Sequence, residues 1–109
     1  MSTLNVQKVV LGGLSPTYGA AAVGGDEFVN SGRDFIHVKN GGGSSVDVTV
    51  NSQEPCDQGY DHDVVVAVGA GAEKMIGPFP KSRFDDADGK VQITYSGVAS
   101  VTIAVIQVP

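Results

Sequence analysis

The sequence predicts an all-β fold, an antiparallel β-sandwich or a jelly-roll-like small barrel of about seven or eight short strands. Three observations lead there. The apolar stock is mainly valine, a residue that favours strands, and the only leucines are Leu4, Leu11 and Leu14, too few for a helical bundle. Several segments alternate apolar and polar residues with a period of two. Between them lie clusters of Gly, Ser, Asn and Asp, supplied by a stock of 15 glycines, that read as turns.

The best-formed stretch is "FIHVKNGGGSSVDVTV", Phe35 to Val50. In its second arm Val46, Val48 and Val50 share one face while Asp47, Thr49 and Asn51 share the other, the pattern of a half-buried strand with one wet side. Its first arm puts Ile36 and Val38 on one face and Phe35, His37 and Lys39 on the other, and "NGGGSS" has the conformational freedom for a hairpin turn. His37 on that wet face reads as a surface or rim side chain. "DVVVAV", Asp63 to Val68, is a nearly continuous apolar run and predicts a strand buried on both sides. "MIGPFP" follows; Pro78 and Pro80 lack amide protons, so this segment belongs at a sheet edge or strand end. "DDADGK" supplies an Asp88-Gly89 turn suited to a tight hairpin and leads into "KVQITY", where Val91, Ile93 and Tyr95 share a face. "SGVAS" turns once more before "VTIAVIQV", Val101 to Val108, closes the chain as a central strand. "QITYSGVASVTIAV" repeats the rhythm of the earlier hairpin.

The first 25 residues carry a single charge, Lys8, and pass from "NVQKVVLGG" into the small-residue run "LSPTYGAAAVGG". They read as an N-terminal strand or arm, residues 1–25, tied down at Val6 to Leu11, ahead of a single β domain over residues 26–109. A strand with so little charge invites pairing at a sheet edge or with another chain. Its apolar side chains, Val9, Leu11, Leu14 and Tyr18 above all, are the first candidate partner contacts. Phe79, Arg83 and Phe84 around "GPFPKSRF" are the second.

Length and composition bound the rest. A chain of 109 residues fits one domain and can bury roughly two-thirds of its unfolded surface without staples. Cys56 is the only cysteine, so an intrachain disulfide is excluded. There is no signal-peptide pattern and no apolar run of the ~20 residues a bilayer requires, so the expectation is a protein folded in a reducing cytosol, with no membrane partner. A net charge of −5 without a basic cluster argues against nucleic acid as a partner.

No catalytic, cofactor or metal site emerges. The acidic loop "EPCDQGYDHD" holds Glu54, Asp57, Asp61, Asp63 and His62, but at a spacing that matches no loop delivering six to eight oxygens to a calcium ion. "FDDADGK" echoes part of a calcium loop, yet Phe84 stands where the first ligand belongs and no closing glutamate follows; a turn accounts for Asp85 and Asp86. Cys56 and His62 share a loop whose carboxylates raise rather than lower a thiol pKa, a poor nucleophile–base pair. "GGDEF" at Gly24 to Phe28 matches diguanylate cyclases by letters only, because that motif belongs to a much longer α/β domain. The expectation is a protein that is not an enzyme.

Three segments taken together, "GRDFIHVKNGGGSSVDVTV", "VGAGAEKMIGPFPKSRFDDADGKVQITYS" and the terminal "VTIAVIQV", resemble small proteins encoded among the head genes of tailed bacteriophages. The resemblance spans about Gly32 to Val108 and is most specific at "HVKN" and at "IGPFP" followed by "F-x-D-x-x-G-K-V-x-x-T-Y". It implies a structural virion protein of the capsid decoration (cement) type, a homotrimer that binds the major capsid protein on the outside of the head and clamps neighbouring subunits. Other virion roles, a head-fibre base or a neck or tail adhesin module, fit the same residues. A carbohydrate-binding sandwich fits less well, since its binding face needs exposed aromatics and the chain has no Trp and only Tyr18, Tyr60 and Tyr95 as tyrosines.

Overall fold

The computed structural model describes residues 1–53 and 63–109. Among them the chain forms β1 (Ser2–Thr3), β2 (Val6–Lys8), β3 (Gly19–Ala20), β4 (Asp26–Val29), β5 (Asp34–Asn40), β6 (Val46–Val50), β7 (Val64–Val68), β8 (Glu73–Ile76), the one-turn helix α1 (Lys81–Phe84), β9 (Lys90–Tyr95) and β10 (Val101–Gln107). Two sheets face each other as a sandwich. The first has the order β1-β4-β9-β6-β7; the second has the order β2-β10-β5-β8, with β3 also paired to β10. The expected all-β sandwich is what forms, and seven of the strands, β4 to β10, lie beyond residue 25.

Alternation decides which side chains enter the core. Val46, Val48, Val50, Val91, Ile93, Val101, Ile103 and Val105 are all buried between the sheets, with Phe28, Ile36 and Val38. Burying each such side chain contributes about 1.5–3 kcal/mol, and a one-residue slip in any strand would expose its whole set.

Strand partners are another matter. "FIHVKNGGGSSVDVTV" is not a hairpin: β5 lies between β10 and β8 in the second sheet, whereas β6 lies between β9 and β7 in the first. "NGGGSS" therefore arches over one end of the sandwich. Asn40 shapes the arch, its Nδ2 donating to Ser44 O (2.8 Å) and Val68 O (3.0 Å) and its Oδ1 accepting from Gly42 N (3.0 Å). "QITYSGVASVTIAV" crosses between sheets in the same way, from β9 to β10. The shared rhythm of the two segments is thus two arches at one end, joined where Gly41 N donates to Ser100 O at 2.8 Å. An arch and a hairpin need the same alternation, because in both the apolar faces of the two arms meet one core.

Other expectations also change. β7 is an edge strand, not one buried on both sides: Val68 is buried, Val64 and Val66 are half-buried, and Val65 is 59% exposed. No strand pairs with its outer edge among the described residues. The Asp88-Gly89 turn joins α1 to β9 instead of joining two paired strands. It is built around Asp86, whose carboxylate accepts from the backbone N–H groups of Asp88 and Lys90 and from Gln92 Nε2. The sheets are antiparallel through their centres, but β1 runs parallel to β4 and β2 parallel to β10. β8 pairs with β5 at the edge and ends at Ile76, just before the cis Gly77-Pro78 bond, as the prolines require.

The N-terminal segment completes the domain it precedes. β2 supplies one edge of the second sheet, β1 one edge of the first, and Leu4 and Val6 pack against the core. Of the segment expected at Val6 to Leu11, Val6–Lys8 adds to a sheet edge, and the edge belongs to its own chain; Val10 and Leu11 leave the sheet in a turn.

Candidate interaction surface

Between β2 and β3 the chain makes an excursion held at its base by one side chain. Gln7 Nε2 donates to Thr17 O and Gln7 Oε1 accepts from Thr17 N, each at 2.8 Å, so a glutamine stands in for a strand partner. Val9 N donates to Gln107 O at 2.9 Å, the last tie before the tip. The tip is a tight turn in which Gly13 N donates to Val10 O at 2.9 Å and Gly13 takes φ +103°, a conformation that favours glycine. No atom beyond the chain neighbours lies within 4 Å of where a Cβ would stand on Gly12 or Gly13, so the turn projects from the body. At its crest Leu11 is fully exposed (108%) and Val10 is 54% exposed.

The return limb lies on the second sheet. The Tyr18 hydroxyl is 2.6 Å from His37 Nδ1, and Glu73 Oε1 is 3.2 Å from His37 Nε2. A carboxylate can only accept, so Nε2 donates to Glu73, while the Tyr18 hydroxyl, which can donate or accept, partners Nδ1. Lys39 Nζ sits 4.0 Å from the centroid of the Tyr18 ring, a cation–π contact. His37 is consequently buried rather than a surface or rim residue, because Tyr18 covers it. Farther along, Ala22 N donates to Asp26 Oδ2 (3.2 Å), which also accepts from the Tyr95 hydroxyl at 2.7 Å. Burial first, then the bond to that carboxylate, pushes the Tyr95 phenol well above its usual range.

Beside the excursion is a cleft of about 440 Å³. β2 pairs with Val105–Gln107 of β10 and β3 with Thr102 and Ile103, which leaves Ala104 without a strand partner on that side. The cleft opens over this gap. Leu4, Ile103 and Val105 are among its apolar lining, Gln7, Thr17 and Tyr18 among its polar lining, and none of its lining residues is charged.

The candidate contacts divide accordingly. Leu11 is displayed; Val9, Leu14 and Tyr18 are half-buried, and Tyr18 is engaged within its own chain. Phe79 and Phe84 are core residues, 2% and 3% exposed, stacked edge-on at 5.4 Å, so the second candidate patch has no accessible ring to offer. Arg83 is half-buried, its guanidinium 4.8 Å from the Phe84 ring centroid. "GPFPKSRF" reads as a surface patch because its prolines and charges mark a loop. In three dimensions it plugs one side of the sandwich, with Asn30 Nδ2 donating to Phe79 O and to Asp85 Oδ1. The Gln7 clamp escaped the sequence reading, since nothing local links a glutamine to a threonine ten residues on.

Glu54, Cys56, Asp57, Tyr60, Asp61 and His62 lie outside the described residues. Asp63 accepts from Ser52 N at 2.8 Å. Among the described residues no group of three His, Cys, Asp or Glu could hold a metal ion, and no helix is long and apolar enough to cross a membrane.

Fold and surface together define a two-sheet β-sandwich whose most distinctive feature is an uncharged, projecting apolar turn beside an uncharged cleft. Comparison with protein-family models, curated proteins and solved structures finds no match to the chain.

Proposed function

We propose that this chain is a structural protein of a tailed-bacteriophage virion, a capsid decoration (cement) protein that binds the major capsid protein on the outside of the head and acts without catalysis. The observation that carries the reading is the Val10–Leu11 crest: two apolar side chains held in water by a clamped turn on a rigid sandwich. Exposed apolar groups of this kind mark contact sites, and the resemblance of residues 32–108 to phage head proteins says which class of contact to expect.

Magnitudes favour a repeated partner. Burying the Leu11 and Val10 side chains gains about 3–6 kcal/mol together. Association costs roughly 4–15 kcal/mol in lost translational and rotational freedom. One such contact does not hold a protein in place, whereas several engaged at once on a regular lattice do. A homotrimer bridging adjacent capsid subunits supplies that multiplicity.

Cosedimentation of the purified protein with undecorated heads is the test. Saturable binding at a fixed ratio to capsid subunits is the expected result, and the protein staying in the supernatant at every concentration overturns the proposal. Deleting residues 2–18 would be the wrong perturbation, because it removes β1 and β2 from their sheets. Replacing Val10 and Leu11 with serine leaves the sandwich intact.

A further inference from the structure

From the pairing of crest and cleft on one chain we infer that the neighbour which receives the Leu11 crest is a second copy of this protein, and that the crest seats in that copy's cleft between β2 and β3. The inference rests on the reading above only in taking the crest to be a contact; it assigns that contact to the seams between copies, so that other faces of the assembly meet the capsid.

The first argument is charge. The chain carries a net charge of −5, so two copies repel unless they meet through a neutral surface. From Val9 to Gly25 no residue is charged, and the lining of the cleft carries no charge either. Crest and cleft are therefore matched in lacking charge as well as in apolar character.

The second is shape. The crest is a narrow turn bearing two apolar side chains, and a cleft of about 440 Å³ is at the scale of pockets that bury a small apolar group. Half-buried Leu4 and Tyr18 offer the crest apolar contact, over a floor formed by the buried Ile103 and Val105.

The third is that a chain cannot satisfy itself. The Gln7–Thr17 clamp closes the excursion at its base and fixes the crest away from the body, while Gln7, Thr17 and Tyr18 line the cleft. The same clamp thus builds the cleft and holds the crest out of it. Crest and cleft are different surfaces, so repeated head-to-tail insertion gives a ring where the rotation between copies closes and a filament where it does not, or a reciprocal pair if two copies exchange crests.

The test is sedimentation velocity on the full chain across a wide concentration series. Wild type, Leu11→Met and Leu11→Asp are compared, and each is melted to show that the fold is unchanged. Wild type and Leu11→Met are expected to form larger species as concentration rises. Leu11→Asp should associate at least about tenfold more weakly, because its carboxylate would have to enter an apolar cleft. Wild type remaining monomeric throughout, or Leu11→Asp associating as wild type does, overturns the inference. Binding to undecorated heads separates the two readings. A monomeric wild type whose Leu11→Asp variant loses head binding assigns the crest to the capsid, overturning the inference while decoration stands. Self-association through Leu11 with no head binding has the opposite meaning: the inference holds and decoration fails.

Discussion

Asn30 is 2% exposed and its side chain makes three hydrogen bonds: Nδ2 to Phe79 O (2.9 Å), Nδ2 to Asp85 Oδ1 (2.7 Å), and Oδ1 from Gly32 N (2.9 Å). Through them the end of β4 holds the crossover from β8 to β9, which carries Phe79 and Phe84 into the core. Asn30→Ala removes all three bonds and leaves the Phe79 carbonyl and the Gly32 amide without these partners. Each buried polar group so orphaned costs about 1–3 kcal/mol. The Asp85 carboxylate keeps Lys81 Nζ at 2.9 Å and adds little. The expected loss is therefore about 3 kcal/mol, a fall in Tm of roughly 10–20 °C for a domain of this size. Asn30→Asp separates the hydrogen-bonding account from simple loss of packing. It preserves shape and the acceptor for Gly32 N, but sets a carboxylate against Asp85 Oδ1 and the Phe79 carbonyl. Those neighbours raise the folded-state pKa of the introduced carboxyl above its unfolded value. Its protonated form regains a donor, so stability is highest at low pH and is lost as pH rises through that folded pKa. Urea melts at several pH values measure this. A loss below about 1 kcal/mol for Asn30→Ala, or an Asn30→Asp deficit that does not ease on acidification relative to wild type, refutes the reasoning.

Three further outcomes are expected. Tyr95→Phe deprives the buried Asp26 carboxylate of its 2.7 Å donor, leaving Ala22 N at 3.2 Å and no partner for Oδ1, so urea melts at neutral pH should show a loss of about 2–3 kcal/mol. Gly25→Ala places a Cβ 2.6 Å from the Ile93 carbonyl oxygen at φ +93°, and calorimetry should record a loss of about 3 kcal/mol or more. Asp86 is held below its ordinary value of 3.8, first by the Lys90 backbone N–H and then by the Gln92 side chain. Its contribution is present above the unfolded pKa and lost as pH falls through the folded one, so Asp86→Ala should destabilise at neutral pH and converge on wild type in acid.

The sequence alone determined the fold class and the inward residues. Alternation is a property of the chain itself: Val46, Val48 and Val50 lie on one side of any strand they form, and a core must cover them. The prolines after Ile76 ended β8 for an equally local reason, a missing amide proton. Partnership was not local. Whether β5 pairs with β6 or faces it across the core depends on the Asn40 side chain reaching Val68, 28 residues away, and on Gly41 meeting Ser100. Phe79 and Phe84 look exposed among prolines and charges until Asn30 fastens their loop over the core. His37 sits on the outer face of its strand, where Tyr18 folds back upon it and Glu73 reaches it from β8. The crest was half legible: "VVLGG" announces apolar residues at a turn, but a turn can fold inward or stand out. That was decided by the Gln7 clamp on Thr17, a contact between segments that meet only once β2 and β3 have both found β10, which is why tertiary structure alone could show it.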